Sequence, residues 1–488
     1  MLRKTLSFVL FILIFIPYFN LCTVSANNDI DVPVDKIDDY VQQFIGKSIA
    51  GAQISITKGN KIIFSKGYGL SNVEKNIPVT QSSTFNFASI SKLFIWVSAM
   101  QLKEQGKLDL NEDIKKYLPA DYPLHLSFSE PVTFLNLMNH NAGFEAYWKY
   151  YSGSGESRDF SSLGESIYSC YSGVQCFKPG EIEGYSNYGA NLAAYIVETI
   201  SGIPFYEYVN ENIFKVCGMN CCYPERNPVD SILANKATGY TNKSYGKFIA
   251  TACYSGDWLY ASGSVIGCAD DLSLFANALM PKDGEISPLF DSNDTLKELL
   301  SISYSPTGEE LFSIHHGLWG TDGNFKGLSH TGCVDGMVSN FVIVPEKNLS
   351  ISILVNDQDG VDISYGVVWL LTGNDYAEIE DKSDFPDSKL LDGKYVHVRT
   401  RFFNRKTPFL PYEVQSIDKN KIQVTINGSS SYYKQIRPYI YENITDTRGI
   451  NFKSKIYFKV QDRKVVKATI WKNDLVPIES LAHFINKE

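Results

Sequence analysis

The hydrophobic patterning of this chain predicts an α+β fold. Strand-like runs stand near both ends of a long N-terminal region, and a helical, loop-rich middle lies between them. Two further observations put a second unit behind it. Beyond a short acidic stretch, 374–387, apolar and polar residues alternate in several runs, which implies a small antiparallel β module. The charge also changes sign there: residues 387–488 carry 19 basic and 10 acidic side chains, a balance of +9, against −18 for the remainder. The 488 residues suit a large catalytic domain followed by a smaller module. The expected organisation is an export signal at 1–26, a main domain at 27–373, a linker at 374–387 and a β module at 388–488.

The N-terminus reads as a secretory signal. Arg3 and Lys4 precede an apolar run from Leu6 to Tyr18, and Val24-Ser25-Ala26 supplies small residues for cleavage before Asn27. The run is short for a membrane span of ~20 residues. Gly366–Leu371 is shorter still, so no membrane span is expected in the mature chain. The expected location is extracellular, with a periplasm or an endolysosomal lumen as alternatives. Eight cysteines would remain after cleavage (170, 176, 217, 221, 222, 253, 268 and 333), an even number that suits disulfides in an exported chain. Five sequons, at Asn242, Asn293, Asn348, Asn427 and Asn443, would accept glycans in a eukaryotic secretory pathway.

Along the main domain, Ile54–Thr57 and Lys61–Ser65 flank the turn pair Gly59-Asn60 and predict a hairpin. Leu93, Phe94, Trp96, Val97, Met100 and Leu102 recur at helical spacing, predicting an amphipathic helix from Ser91 to Gln105 that Gly106 ends. A helical stretch is expected at Tyr188–Ser201. Strands are expected at Met337–Val344 and Ser350–Val355, and a last helix at Val361–Leu371. In the β module the alternating runs are Tyr395–Val398, Ile422–Ile426, Ile456–Val460 and Val465–Ile470.

Ser89-Ile90-Ser91-Lys92 opens the predicted helix. Helical positions i and i+3 share a face and side chains lean toward the N-terminus, so Lys92 would point at the Ser89 hydroxyl. A serine needs such a base to become a nucleophile. The same S-x-x-K pattern at Ser55, Ser244, Ser416 and Ser431 lacks the helical context. About a hundred residues on, Tyr185-Ser186-Asn187 offers a phenol and a carboxamide, and His330-Thr331-Gly332 leads into a strand expected to be an edge strand beside the nucleophile. The chain lacks H-E-x-x-H and G-x-S-x-G, which leaves the metalloprotease and α/β-hydrolase readings unsupported. The formal charge of −9 argues against a nucleic-acid partner. His315-His316 is expected at a strand edge and His140 in a structural loop. The basic face of the β module reads as solvated surface.

These three motifs, in this order, resemble the class C β-lactamase-like serine hydrolases, a group that also holds penicillin-binding DD-peptidases, D-aminopeptidases and esterases. Gly106–Leu110, Val132–Gly143, Cys217-Gly218-Met219 and Gly267–Leu272 also look like segments of that family. The resemblance covers roughly residues 35–372, and the β module resembles the lipocalin-like domains attached to some relatives. It implies that Ser89 attacks an amide or ester carbonyl to form an acyl-enzyme, and that Lys92 and Tyr185 share the base duty. It also implies that Asn187 orients both substrate and Lys92. The backbone N–H groups of Ser89 and Cys333 would form the oxyanion hole, and His330, Thr331 and Gly332 would line the substrate. No metal or cofactor is implied; the partner is a small-molecule or peptide substrate, and the oligomeric state stays open. β-Lactamases of this kind usually carry Lys where His330 stands. The His form resembles D-peptide hydrolases, so D-amino-acid peptides are expected ahead of β-lactams. A catalytically inactive scaffold is the alternative. Cys268 and Cys333 are expected to be buried or disulfide-bonded.

Overall fold

The computed structural model describes residues 33–144, 162–170, 173–224, 226–244, 246–251, 260–308, 310–321, 326–373, 385–399, 410–445, 454–470 and 473–481. The expected export signal, Cys253 and most of the expected linker lie outside them. Among the described residues no helix is long and apolar enough to cross a membrane.

The main domain is built on one antiparallel sheet closed by both ends of the domain, as the patterning predicts. Its strands are β1 (Gly51–Lys58), β2 (Lys61–Asn72), β3 (Ile77–Pro78), β4 (Ile314–His315), β5 (Leu318–Gly320), β6 (Leu328–Val334), β7 (Met337–Val344) and β8 (Leu349–Val355). Their spatial order is β3-β2-β1-β8-β7-β6-β5-β4. The central strands β7 and β8 are buried along their whole length, because helices cover both faces. On one face α1 (Val34–Gln42) packs against a helix at Val361–Thr372. Gly366 makes that approach possible, since a methyl group there would collide with the Tyr40 ring. The Tyr40 hydroxyl donates to Asp362 O at 3.0 Å.

The opposite face holds α2 (Lys92–Glu104), α3 (Asn187–Ser201) and α4 (Ala269–Leu279). The expected amphipathic helix is α2, but it is not amphipathic: every residue from Lys92 to Leu102 is buried. Helical spacing of apolar residues finds the helix, whereas the burial of its polar positions comes from neighbours on all sides. Phe94 meets Phe214 and Phe275 edge to face, with ring centroids 5.0 Å away in each case. Two polar contacts join the layers. Ser273 on α4 donates to Ser55 on β1 at 2.9 Å, and Gln53 accepts from the Ala269 N–H at 2.6 Å, which fixes where α4 begins. β4 is the outermost strand, so His315 sits at a sheet edge as expected, its Nδ1 on Leu300 O.

The β module is a closed antiparallel barrel in sequential order: β9 (Gly393–His397), β10 (Tyr412–Asp418), β11 (Lys421–Ile426), β12 (Ser429–Arg437), β13 (Ile440–Asn443), β14 (Lys455–Gln461), β15 (Lys464–Ile470) and β16 (Asn473–Pro477). Its interior is filled by Tyr395, Val414, Ile422, Tyr441, Ile456, Phe458 and their neighbours. Asp387, the last residue of the expected linker, already caps the turn Ser388–Leu391 by accepting from Lys389 N.

The barrel is fastened to the main domain beside Tyr185. Glu183 N donates to Asp474 Oδ2 and Asp474 N donates to Glu183 O, both at 2.8 Å. Tyr185 N donates to Asn473 Oδ1 at 2.9 Å. Behind these bonds lies a buried ion pair, Lys467 Nζ to Asp474 Oδ2 at 2.5 Å; Lys467 also donates to Glu181 O at 3.1 Å. Burial works against charge on Lys467, but Asp474 beside it keeps its pKa above the ordinary lysine value. Cys176, Ile182, Val396, Val398 and Val476 form an apolar cluster around this polar clasp.

Candidate active site

The position of Ser89 is set by a short, strained turn. Phe85–Asn86 pairs with Ile266–Gly267, and Phe87 N donates to Val265 O at 2.8 Å. Asn86 Oδ1 then accepts from Ala88 N at 2.6 Å while Ala88 takes φ +49°, a left-handed backbone that costs a non-glycine residue roughly 1–2 kcal/mol. Ser89 follows on a 3-10 turn, Ala88–Ser91, which runs directly into α2. Ser91 Oγ accepts from Val265 N at 3.2 Å and ties the turn down from behind.

One turn on, Lys92 is completely buried and its Nζ donates to Ser89 Oγ at 3.1 Å and to Ser262 O at 2.7 Å. No carboxylate pairs with it among the described residues. Burial, with the Arg399 charge adding to it, holds its pKa well below the ordinary lysine value of 10.5. The neutral amine that a general base requires is thereby favoured.

Tyr185 brings its ring against this amine, with Nζ 5.0 Å from the ring centroid. Burial raises the phenol pKa, while the nearby Ser89 hydroxyl and the Arg399 charge pull the other way; the rise wins. The hydroxyl of Tyr185 is buried and has no hydrogen-bond partner among the described residues. Its backbone is held by the barrel through Asn473 and by His140 next door. His140 Nδ1 accepts from Ser186 N at 3.2 Å, and its ring lies 4.4 Å from that of Tyr185. Burial and the charges of Lys92 and Arg399 keep His140 neutral, its pKa well below 6.5. The expected structural role of His140 thus extends to positioning the Tyr185 turn.

Asn187 is the first residue of α3, with Ser186 as its cap. It departs from expectation: no hydrogen bond joins Asn187 to Lys92, and Asn187 Oδ1 is buried without a partner among the described residues. The second anchor of Lys92 is instead the Ser262 carbonyl. Ser262 is itself held by Asn191, whose Nδ2 donates to Ser262 Oγ at 2.7 Å. Asn191 stands one helical turn after Asn187 on the same face, a spacing that could have flagged it.

The third wall is β6. Ser329 is the last β6 residue paired with β5, so from His330 onward the strand has only β7 paired beside it among the described residues. β6 is therefore not the edge strand of the sheet, as expected from the sequence, but its C-terminal half has an open edge among the described residues. Gly332 lets it touch the turn before Ser89: a methyl group there would stand 2.5 Å from Phe87 O and 2.8 Å from Ala88 Cβ. Thr331 is half-buried, its carbonyl accepting from His330 Nδ1 at 2.8 Å. His330 is fully buried and stacks on Trp319 at 4.2 Å with an interplanar angle of 18°. Trp319, 5.7 Å from the Tyr185 ring, was not marked by any sequence pattern.

Cys333 corrects the expectation of a buried or disulfide-bonded thiol. It is exposed and accepts from Gln358 Nε2 at 3.2 Å. Cys217, Cys221 and Cys268 are also free thiols, and no disulfide is formed among the described residues. Cys268 caps α4, with its N–H donating to Asp271 at 2.8 Å, and burial raises its thiol pKa.

The chain matches the family model "Beta-lactamase" over residues 37–365. "Protein flp" of Staphylococcus aureus (strain N315) is 23% identical over 330 residues, which cover 67% of this chain and 64% of that protein. The chain thus spans less than two thirds of that relative. "Penicillin-binding protein 4*" of Bacillus subtilis (strain 168) is 28% identical over 168 residues, 33% of this chain and 35% of that one. Among solved structures, the octameric penicillin-binding protein homologue from Pyrococcus abyssi has a TM-score of 0.61 at 21% identity, covering 91% of this chain and 100% of its own. SurE crystallised with D-Leu has a TM-score of 0.64 at 19% identity, covering 90% and 97%. A class C beta-lactamase has 0.56 at 19%, covering 72% and 99%. At these identities the structures establish a shared fold, and the first two cover too much of this chain to match the main domain alone. With the family model spanning the Ser89, Tyr185 and His330 motifs, the chain belongs to the beta-lactamase family of serine hydrolases.

Proposed function

We propose that the chain is an exported hydrolase that passes an acyl group through Ser89, acting on small amides or esters, with D-amino-acid-containing peptides as its main substrates and β-lactams as weak ones. The observation that carries this reading is the Lys92 amine, buried without a carboxylate among the described residues and 3.1 Å from the Ser89 hydroxyl. The neutral amine takes the Ser89 proton as Oγ bonds to the substrate carbonyl carbon, and the carbonyl electron pair moves to oxygen. Backbone N–H groups of Ser89 and Cys333 receive that oxyanion, with Gly332 allowing β6 close enough. The proton then passes through Tyr185 to the leaving nitrogen or oxygen as its bond to carbon breaks. Water repeats the sequence in reverse and frees Ser89. Because burial favours neutral Lys92 and protonated Tyr185, the amine is the base and the phenol the relay. The D-peptide preference is supported by the His330 motif and by SurE, a structural neighbour crystallised with D-Leu.

A panel of D-aminoacyl amides, D-Ala-D-Ala peptides, nitrocefin and short-chain esters tests the reading. Turnover of a D-peptide with kcat/KM above that for nitrocefin is expected. Turnover of nitrocefin alone would contradict the preference, and no turnover of any compound, with Ser89 unlabelled, would favour an inactive scaffold.

A further inference from the structure

Arg399 follows the first barrel strand, yet it reaches the catalytic groups of the other domain. Its Cζ lies 5.0 Å from the Tyr185 ring centroid. The position is built by several contacts. Val398, the preceding residue, is buried against Gly184, where a methyl group would stand 3.1 Å from Val398 Cγ2. Val398 N donates to Asp474 O at 3.1 Å, and Arg399 N donates to His397 Nδ1 at 3.1 Å. The Asn473–Asp474 pair that holds Glu183 and Tyr185 therefore also fixes the backbone leading to Arg399.

The side chain is exposed, and no carboxylate pairs with it among the described residues. A guanidinium seated on an aromatic ring at the wall of a cleft, open to solvent and lacking an acidic partner, is suited to take a carboxylate in a two-pronged hydrogen bond. His330 is less suited. Its ring is buried, stacked on Trp319, and its Nδ1–H is directed to the Thr331 carbonyl.

We propose that Arg399 is a specificity-determining residue, through which the barrel supplies the cation that binds a substrate carboxylate, such as the free C-terminus of a short D-peptide. The inference rests on the acyl-transfer reading of Ser89, and deepens it: the site is completed by a residue outside the hydrolase domain.

Two measurements on the full chain test it. The first is the ratio of kcat/KM for a D-alanyl-D-alanine peptide with a free carboxylate to that for its C-terminal amide, in wild type, Arg399→Gln and Arg399→Lys. A charge-assisted hydrogen bond corresponds to about 10- to 100-fold. The ratio is expected to fall by that factor in R399Q and to recover in part in R399K. An unchanged ratio in R399Q overturns the proposal, as does an equal loss on both substrates, which would mark a structural role.

The second is equilibrium binding of N-acetyl-D-alanyl-D-alanine and of its amide to Ser89→Ala and to the S89A/R399Q double variant. This needs no turnover, so it separates the two readings. Loss of the carboxylate preference in the double variant supports Arg399 even if Ser89 proves inert. A retained preference, or none in S89A itself, overturns it.

Discussion

Replacing Gly332 by alanine tests how β6 meets the turn that carries Ser89, the proposed nucleophile. The new methyl group would lie 2.4 Å from Ser339 Oγ, 2.5 Å from Phe87 O and 2.8 Å from Ala88 Cβ. Two of these three atoms are themselves bonded: Ser339 Oγ donates to Phe87 O at 2.8 Å, tying β7 to the turn before Ser89. The methyl would have to wedge into that bond. The Ser339 hydroxyl can rotate, but the Phe87 carbonyl is backbone, held by the Phe87 N–H bond to Val265 O. Relief must come from β6 moving away or from the turn moving, and either displaces the Cys333 N–H from the Ser89 side of the cleft. Overpacking of this kind costs about 1–3 kcal/mol of stability. A shift of about 1 Å at the reacting centre costs on the order of 100-fold in rate. The assay is the second-order rate of Ser89 labelling by a fluorophosphonate, with a thermal melt on the same sample. G332A is expected to label about 100-fold more slowly and to melt lower. Labelling and melting at wild-type values would refute the close approach of β6 to the Ser89 turn.

Lys92→Met removes the buried amine. In the wild type the unfolded chain holds this proton at pH values where the folded chain has released it, so stability rises with pH between the lowered folded pKa and the ordinary value of 10.5. The variant is expected to lose labelling and to melt with a flatter dependence on pH, the wild type falling behind as pH drops through that window. Equal pH slopes in urea-unfolding experiments would contradict a lowered Lys92 pKa. Asp474→Ala leaves Lys467 buried without its partner and removes the acceptor for Glu183 N, at a cost of about 3–5 kcal/mol. Limited proteolysis is expected to free the barrel in that variant, and labelling of Ser89 to slow because the Tyr185 turn loses its support. An unaltered digestion pattern and labelling rate would show that the clasp does not position Tyr185.

Local chemistry was legible in the sequence because it is written in short spacings. The Ser89–Lys92 pair follows from helical geometry, and the structure brings it to 3.1 Å. The hairpin at Ile54–Ser65 is β1–β2, and alternation found the strands at Ile422–Ile426, Ile456–Val460 and Val465–Ile470 to within about a residue of their bounds. What escaped was set by contacts between distant stretches. Asn187 was expected to hold Lys92, but the lysine turns to the carbonyl of Ser262, a backbone atom that carries no signature in the side-chain sequence. Trp319, Asn473 and Arg399 reach the site through the sheet and the barrel, and nothing local distinguishes them from core or surface residues. The solvated-face reading of the basic barrel fails for Lys467, which is buried in the clasp. The cysteines misled by number: an even count suggested disulfides, whereas Cys217, Cys221, Cys268 and Cys333 remain thiols, with Cys268 serving as a helix cap.

Intact mass measurement of the full chain after incubation with a fluorophosphonate, or with a penicillin at high concentration, tests acyl transfer through Ser89 most directly. One covalent adduct per chain is predicted, mapping by peptide digestion to Ser89 and absent in Ser89→Ala. An adduct that persists in that variant, or none with either reagent on folded protein, would contradict the account.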